Sequence, residues 1–183
     1  MDSPRDTGIW EQWEHDEKHS VSPLLARLLE KIFIKSIPIV DYGCGKGFYV
    51  DSLIAAGFTV IGVEGTPDPG TIQADLSLPL TIQLPLSSSL SLEVGEHIPP
   101  EYEDVFIDNI TKYCSGMLVL SWALPDQGGH RHVNERPNYY IIALLAAKGF
   151  YLNDKKTNFL RGSMHELDEC RWFRNSLMVF DRL

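Results

Sequence analysis

The stretch Asp41-Tyr-Gly-Cys-Gly-Lys-Gly47 decides the fold of this chain. A short apolar run over residues 38–40 leads into it, and apolar residues then recur at helical spacing as far as Gly57, a typical helix C-cap. The order is therefore strand, glycine loop, helix. Glycines accept positive φ and let a ligand approach the backbone closely, so this loop predicts a binding site at a strand end.

The same alternation continues along the chain and predicts a doubly wound, mostly parallel α/β sheet with helices on both faces. Helices are predicted over residues 24–33, 50–57, 102–113 and 141–149, and Gly116 is expected to stop the third of them. A polar connection is predicted after residue 152. The predicted strands cover residues 38–40, 59–63, 71–74, 90–94, 117–123, 150–152 and 176–180.

Length and composition indicate one globular domain. The chain has 183 residues, of which 44% are apolar and 22% charged, enough for a single α/β core. We expect one domain over residues 1–183, with residues 1–35 forming an N-terminal lid and the first helix. No apolar run is long enough to cross a bilayer, no signal-peptide core is visible, and the 3 cysteines lack paired spacing. A cytoplasmic protein with reduced thiols is expected.

The net charge of −9 argues against broad attachment to nucleic acid or to an anionic membrane. Residues 131–183 differ from the rest, with 9 basic and 6 acidic side chains. This part either meets an anionic group of a substrate or is simply solvated surface. A small-molecule partner is favoured over nucleic acid or membrane, and the oligomeric state is left open.

The glycine spacing separates two classes of nucleotide-binding protein. A dinucleotide fingerprint reads G-x-G-x-x-G, whereas this chain reads Asp41-x-Gly43-x-Gly45-x-Gly47. That pattern resembles the first motif of the class I S-adenosylmethionine-dependent methyltransferases. The resemblance implies a Rossmann-like three-layer sandwich whose mostly parallel seven-stranded sheet has its last strand antiparallel. It also implies S-adenosyl-L-methionine as cofactor and an enzyme that transfers its methyl group.

The resemblance implies a set of cofactor-binding residues at the strand ends. An acid at the end of the second strand accepts hydrogen bonds from the ribose, and Glu64 stands there, about 20 residues after the loop. Asp75 and Leu76 match the adenine position, and Glu93 the methionine position. Residues 86–89 lack the aromatic-Asp pair common in the family. The full implied set is Asp41, Gly43, Cys44, Gly45, Glu64, Asp75, Leu76 and Glu93.

Two histidine-containing loops follow the fourth and fifth strands, Glu93-Val-Gly-Glu96-His97 and Gly128-Gly-His130-Arg-His132-Val-Asn134. The E-x-x-E-H segment is similar to that of ubiquinone-biosynthesis O-methyltransferases and small-RNA 2′-O-methyltransferases. This resemblance implies a magnesium or manganese site of Glu93, Glu96, His97 and either His130 or His132, with His132 preferred. One alternative is a metal-free catalytic site of Glu96, His97 and His132, in which the acid caps the next helix and the histidine packs beside the sulfonium. The other is a purely structural role.

Three functions remain open. The leading hypothesis is methyl transfer to an oxygen or nitrogen of a small molecule. The others are metal-assisted 2′-O-methylation of an RNA end and a non-catalytic S-adenosylmethionine-binding scaffold. Trp10 and Trp13 either form a lid over the cofactor or pack on the sheet, and residues 172–174 either line the acceptor site or pack against the last strand.

Overall fold

The computed structural model describes residues 7–17, 19–66, 68–164 and 170–183, with the backbone alone for residues 15–17. The strands are β1 (Ile39–Tyr42), β2 (Val60–Glu64), β3 (Ile72–Gln73), β4 (Ser87–Ser91), β5 (Cys114–Leu120), β6 (Phe150–Leu152) and β7 (Met178–Arg182). The helices are α1 (Gln12–Glu17), α2 (Pro23–Ile32), α3 (Phe48–Ala55), α4 (Glu103–Lys112), α5 (Asn138–Ala147), α6 (Asp154–Ser163) and α7 (Phe173–Ser176). In this part of the chain no helix is both long and apolar enough to cross a bilayer.

The strands form one seven-stranded sheet in the order β3-β2-β1-β4-β5-β7-β6. β1 to β5 pair in parallel, and β7 runs antiparallel between β5 and β6. Strand order reverses between β1 and β4, which is where doubly wound sheets bind ligands at their carboxyl ends. The predicted Rossmann-like sheet with an antiparallel last strand is confirmed.

Two apolar clusters cover the two faces of the sheet and make it the middle of three layers. One face packs against α4 and α5, with Phe106, Ile141 and Trp122 fully buried. The other packs against α2, α3, α6 and α7, with Leu29 and Leu53 fully buried. Helix α2 begins at Pro23, and the Ser22 hydroxyl caps it by accepting a hydrogen bond from the Leu25 amide at 3.1 Å.

The fourth strand begins earlier than predicted, at Ser87 rather than at residue 90. A run of serines looks like a loop, but here the small hydroxyls fit a central strand and bond to neighbouring carbonyls. The Ser89 hydroxyl donates to Ile110 O and the Ser91 hydroxyl to Tyr42 O, each at 2.8 Å. Burying these groups is tolerated because they are hydrogen-bonded.

Other predicted boundaries were wrong near the middle and the carboxyl end of the chain. Strand β5 begins at Cys114, so Gly116 lies inside a strand instead of ending a helix. The predicted polar connection contains α6, which Asn153 caps by accepting from the Lys156 amide at 2.9 Å. Ser176 belongs to α7, and the last strand starts at Met178.

Candidate active site

The glycine loop joins β1 to α3 at the carboxyl edge of the sheet. Gly43, Gly45 and Gly47 all have positive φ, of 75°, 53° and 77°. The Gly43 and Cys44 amides both donate to Val63 O, which ties the loop to β2. A Cβ at Gly45 would lie 2.5 Å from the His19 ring, so this position requires glycine for space as well as for its backbone angle. The Cys44 thiol is buried, and burial raises its pKa, so the loop offers its main chain rather than a thiolate.

Glu64 ends β2 and points its carboxylate at this loop. Its Oε2 accepts from the Gly45 amide at 2.8 Å, and its Oε1 accepts from the Gly65 and Thr66 amides at 2.8 and 3.1 Å. A carboxylate held by several N–H donors is fixed in direction. The structure therefore brings the predicted acid and the predicted loop into direct contact.

Asp41 lies beneath the loop, 2% exposed. Burial, and secondarily the charge of Glu64, raises its pKa to about 8. Its Oδ2 has no hydrogen-bond partner among the residues that the structure describes. Asp75 differs, because its Oδ1 accepts from the Ser77 amide and hydroxyl at 2.9 and 2.7 Å.

Gly43, Glu64, Leu76 and Glu93 share a cavity of about 100 Å³, called here the small cavity. Asp75 does not line it. Residues 7–10 and His19 complete its walls. Small-molecule pockets usually measure about 300–1,000 Å³, so the small cavity is narrow for a ligand. The segment preceding α1 occupies space at this edge of the sheet, since residues 7–10 form part of the cavity wall.

Residues 7–10 and His19 form an N-terminal cover over the small cavity, with Trp10 at its centre. Its ring stacks on His19 at 5.0 Å and meets the ring of His97 edge-on at 5.0 Å. Its carbonyl accepts from the Thr66 hydroxyl at 2.6 Å. Trp13 is 52% exposed and contacts the edge of His130 instead. Trp10 lines the small cavity, whereas Trp13 does not.

Glu14 of α1 fastens this cover to the loop after β5. Its Oε1 lies 2.7 Å from His130 Nε2, and its Oε2 accepts from Arg131 Nη1 at 2.9 Å. Burial acts to raise the pKa of Glu14, but hydrogen bonds from the Glu11 amide, His130 and Arg131 outweigh it and lower the pKa to about 2. No local sequence pattern indicates this contact, because its partners lie 116 and 117 positions apart. We call it the Glu14 clasp.

Glu93 and Glu96 form a buried pair of carboxyls after β4. Glu93 accepts from Gln127 Nε2 at 2.8 Å and from the Ser176 hydroxyl at 3.2 Å, in a backbone with φ 53°. Glu96 is fully buried, and neither of its carboxyl oxygens has a hydrogen-bond partner within the described residues. Burial raises the pKa of both acids, and for Glu96 the charge of Glu93 adds to the effect.

His97 and His132 lie beside Glu96, with their ring centres 5.1 Å apart. One ligand atom from each of these three residues lies within 4.8 Å of the others. Burial, and then the nearby His132, lowers the pKa of His97 to about 4, so its ring is neutral at neutral pH. His132 Nδ1 lies 2.9 Å from Glu135 Oε1, which orients the ring.

Main-chain contacts explain why the two histidine loops meet. The Val133 and Asn134 amides donate to Glu96 O at 2.9 and 3.0 Å, and Trp122 Nε1 donates to Asn134 O at 2.6 Å. Gly95 lets the Trp122 ring pack directly on the backbone, where a Cβ would overlap it. The structure thus groups Glu96, His97 and His132. It places Glu93 outside this group and His130 on Glu14.

A second, larger space, called here the open cleft, adjoins this group and measures about 1540 Å³. His97, His132 and Glu93 line it. Trp172, Phe173 and Arg174 line it too, although most of Phe173 is buried in the core, at 2% exposure. Two arginines that sequence reasoning missed, Arg161 and Arg171, also line it.

Comparisons with known proteins agree with the fold. No family model matches the chain. Ubiquinone biosynthesis O-methyltransferases of Pseudomonas putida and Pseudomonas savastanoi are 19% identical to it over 147 residues, which is 74% of the chain. The chain spans 63% of the length of these relatives.

Solved structures share the fold at low sequence identity. Magnesium protoporphyrin IX methyltransferase from Synechocystis, with bound SAH, has a TM-score of 0.63 at 17% identity, covering 87% of this chain and 80% of that one. A TehB-like SAM-dependent methyltransferase from Corynebacterium glutamicum has a TM-score of 0.64 at 15% identity, covering 87% and 88%. The chain has the fold of the class I S-adenosylmethionine-dependent methyltransferases, and these relatives and neighbours are such enzymes.

Proposed function

We propose that this protein transfers a methyl group from S-adenosylmethionine to an oxygen or nitrogen of a small molecule. One observation carries the proposal. The Glu64 carboxylate faces the glycine loop at the strand-order reversal of this fold, beside a cleft lined by His97 and His132. Ligand-binding loops converge at that edge of a doubly wound sheet.

The residues present fit the cofactor. Glu64 offers a carboxylate that can accept from two adjacent ribose hydroxyls, and the positive-φ loop lets the ligand approach the backbone. We assign Asp75 and Leu76 to the adenine and the Glu93 region to the methionine part. Asp41 and the main chain of residues 43–45 support the loop itself. The bound cofactor supplies a methyl group on a positively charged sulfur.

The open cleft would hold the acceptor. Much of the rate of an in-line methyl transfer comes from holding the acceptor atom in place, which is a task for the cleft walls. A hydroxyl acceptor also needs a base, and His97 and His132 are the candidates that line the cleft; the ring of His97 is neutral at neutral pH because its pKa is lowered. Solved neighbours support a small acceptor, since one is a 1,6-didemethyltoxoflavin N1-methyltransferase from Burkholderia thailandensis with its substrate bound.

Calorimetric titration with S-adenosylmethionine and S-adenosylhomocysteine tests the cofactor assignment. We expect saturable binding of both at micromolar concentration. No binding of either would contradict the proposal. Binding of both without methyl transfer to any member of a phenol and amine panel would favour the scaffold function instead.

A second candidate, metal-assisted transfer to a hydroxyl as at an RNA 2′ position, is favoured by the group of Glu96, His97 and His132. Their ligand atoms lie within 4.8 Å of one another, and the Glu96 oxygens are unpartnered within the described residues. These groups could hold Mg²⁺ or Mn²⁺, which would lower the pKa of an acceptor hydroxyl. Glu93, bonded to Gln127 and Ser176, is the weakest member of the predicted ligand set.

The two candidates differ in their response to chelation and to His132→Ala. In the leading proposal activity persists in EDTA, and His132→Ala lowers turnover while the affinity for S-adenosylhomocysteine stays within about twofold. Loss of activity in EDTA with recovery on added Mn²⁺ would establish the metal-assisted reaction. An equal loss of turnover and cofactor affinity in His132→Ala would contradict an acceptor-side role for this histidine.

A further inference from the structure

The wall of the open cleft formed near the carboxyl end of the chain is strongly basic. Arg161 of α6 and Arg171 and Arg174 around α7 all line it. Within the described residues, the one acid lining this cleft is Glu93. Among the residues that the structure describes, three arginines and one acid therefore line the cleft, in a chain whose net charge is −9.

Arg161 is held in place but is not charge-compensated by the described part of the chain. Its Nε donates to Leu177 O at 2.6 Å, which fixes the plane of the guanidinium and leaves its other N–H donors for a ligand. No described carboxylate lies within ion-pair distance of Arg161 or Arg171. Partial burial of a guanidinium is costly when no carboxylate among the described residues pairs with it. An incoming anion would therefore gain a strong interaction here.

Aromatic side chains complete the cleft. Trp172 lies directly after Arg171, and Tyr49 and Trp10 line the same space. Such rings favour a planar organic body next to the guanidinium groups. The walls of the open cleft thus carry arginines and aromatic rings as well as His97. Methyl transfer is proposed to take place beside His97.

We propose that the methyl acceptor is an anionic small molecule, a carboxylate or a phosphate monoester, whose anionic group is bound by Arg161 and Arg171. This inference rests on the proposed function and names the chemical class of its substrate. Arg161 supplies a fixed planar pair of donors, and Arg171, which is exposed, supplies charge at the entrance. The carboxylate and the phosphate share the same recognition chemistry and differ in charge.

The test uses the full chain saturated with S-adenosylhomocysteine and three matched probes: benzoate, phenyl phosphate and neutral benzamide. Binding is followed by tryptophan fluorescence and calorimetry at constant ionic strength. We expect the anions to bind more tightly than benzamide. Arg161→Gln should weaken anion binding about ten- to a hundredfold, the loss typical of charged hydrogen bonds, and leave benzamide unaffected. The tighter of the two anions identifies the group.

Three further variants separate recognition from folding. Arg161→Lys keeps the charge but loses the fork, so we expect an intermediate loss of anion affinity. Arg171→Gln, on the surface, should weaken anion binding severalfold without changing the melting temperature. Arg27→Gln makes the same charge change on the exposed face of α2 and should change nothing.

Equal effects of Arg161→Gln and Arg27→Gln, or equal binding of benzamide and the anions, would overturn the inference. So would binding of neither anion by a protein that binds S-adenosylhomocysteine normally. Tight binding of a short single-stranded RNA without binding of the small anions would assign the arginines to a nucleic acid instead. Failure to bind S-adenosylhomocysteine at all is a different result, because it contradicts the proposed function itself.

Discussion

Three buried or half-buried acids at one edge of the sheet differ in their hydrogen-bond partners because their surroundings differ. Glu64 accepts hydrogen bonds from three backbone amides. Asp41, beneath the same loop, has an oxygen without a partner among the described residues, and its pKa is raised. Glu96 is unpartnered at both oxygens within the same residues. Glu64 is held toward the glycine loop, which suits ligand binding, whereas burial favours the protonated form of Asp41 beneath that loop.

Replacing Glu64 with alanine should weaken the binding of S-adenosylhomocysteine by more than about 1 kcal/mol, on the order of one lost pair of charge-assisted hydrogen bonds. Calorimetry measures the change. Because Glu64 also accepts from the Gly45 amide, the melting temperature of the free variant must be checked alongside. Unchanged affinity in a folded variant would contradict the ribose assignment. Glu30→Ala, an exposed acid of α2, is the control.

Asp41 should make the free protein less stable as pH rises. Its pKa is about 8 when folded and near 3.8 when unfolded, so between these values the folded state holds a proton that the unfolded chain has released. The free energy of unfolding therefore falls with rising pH across this window, by at most about 1.4 kcal/mol per pH unit for one proton.

Urea unfolding of Asp41→Asn at pH 5, 6.5 and 8 tests this. The variant keeps the neutral shape, so we expect its stability to decline less with pH than that of the wild type. The exposed Asp51→Asn should show the wild-type slope. An unchanged slope in Asp41→Asn would show that Asp41 is already ionised in the free protein.

The contact between Glu64 and the glycine loop could be predicted at this scale because its signals are local. One strand-loop-helix-strand unit sets both the glycine spacing and the number of residues between Gly45 and Glu64. The structure brings Gly45 and Glu64 into contact. Arg161 and Glu14 carry no such signal. Each becomes a site residue only through partners distant in sequence, Leu177 and His130 respectively.

Among the structural elements of the site, the segment before α2 depends most on contacts with residues that are far from it in sequence. Ile9 packs on Gly65 and His19 packs on Gly45, so this segment lies against the loop that the cofactor is proposed to use. The Glu14 clasp holds it to the loop after β5. Entry of the cofactor would then require the segment to move.

Glu14→Gln should speed that movement. It removes the charge that holds His130 and Arg131, so we expect the association rate of S-adenosylhomocysteine to rise about tenfold, the factor that corresponds to about 1.4 kcal/mol. Stopped-flow tryptophan fluorescence measures the rate. Because hydrogen bonding lowers the pKa of Glu14 from 4.5 to about 2, its contribution is present above pH 4.5 and is lost as pH falls through 2.

Glu101→Gln, an exposed acid away from the clasp, is the control and should leave the rate unchanged. An equal rate for Glu14→Gln and the wild type at neutral pH would show that the clasp does not limit cofactor entry.

Strands and helices were predicted wrongly where the composition of a segment is not typical of the structure that it forms. Strands β1, β2 and β6 have apolar side chains and were predicted close to their observed bounds. Strand β4 begins with three buried serines, a composition typical of loops, and one of them, Ser89, bonds its hydroxyl to a neighbouring carbonyl. Helix α6 is polar on most of its surface and buries just Thr157 and Leu160, so its apolar pattern was too weak to see.

For the whole molecule, sheet order joins distant parts of the chain. Strand β4 lies between β1 and β5, and β7 inserts between β5 and β6, so neither half of the chain completes the sheet alone. Both apolar clusters include residues from early and late strands, such as Val40 with Phe180 and Ile39 with Val179. This interleaving supports the proposal that residues 1–183 form one domain.

We therefore expect a single cooperative unfolding transition, with far-UV circular dichroism and tryptophan fluorescence giving the same midpoint. S-adenosylhomocysteine at a hundred times its Kd should add about 2.7 kcal/mol to the free energy of unfolding, because it binds the folded state alone. For a domain of this size each kcal/mol corresponds to about 2–4 °C in Tm. Two separate transitions, with one of them shifted by the ligand, would contradict the single domain and would confine the cofactor to the part that shifts.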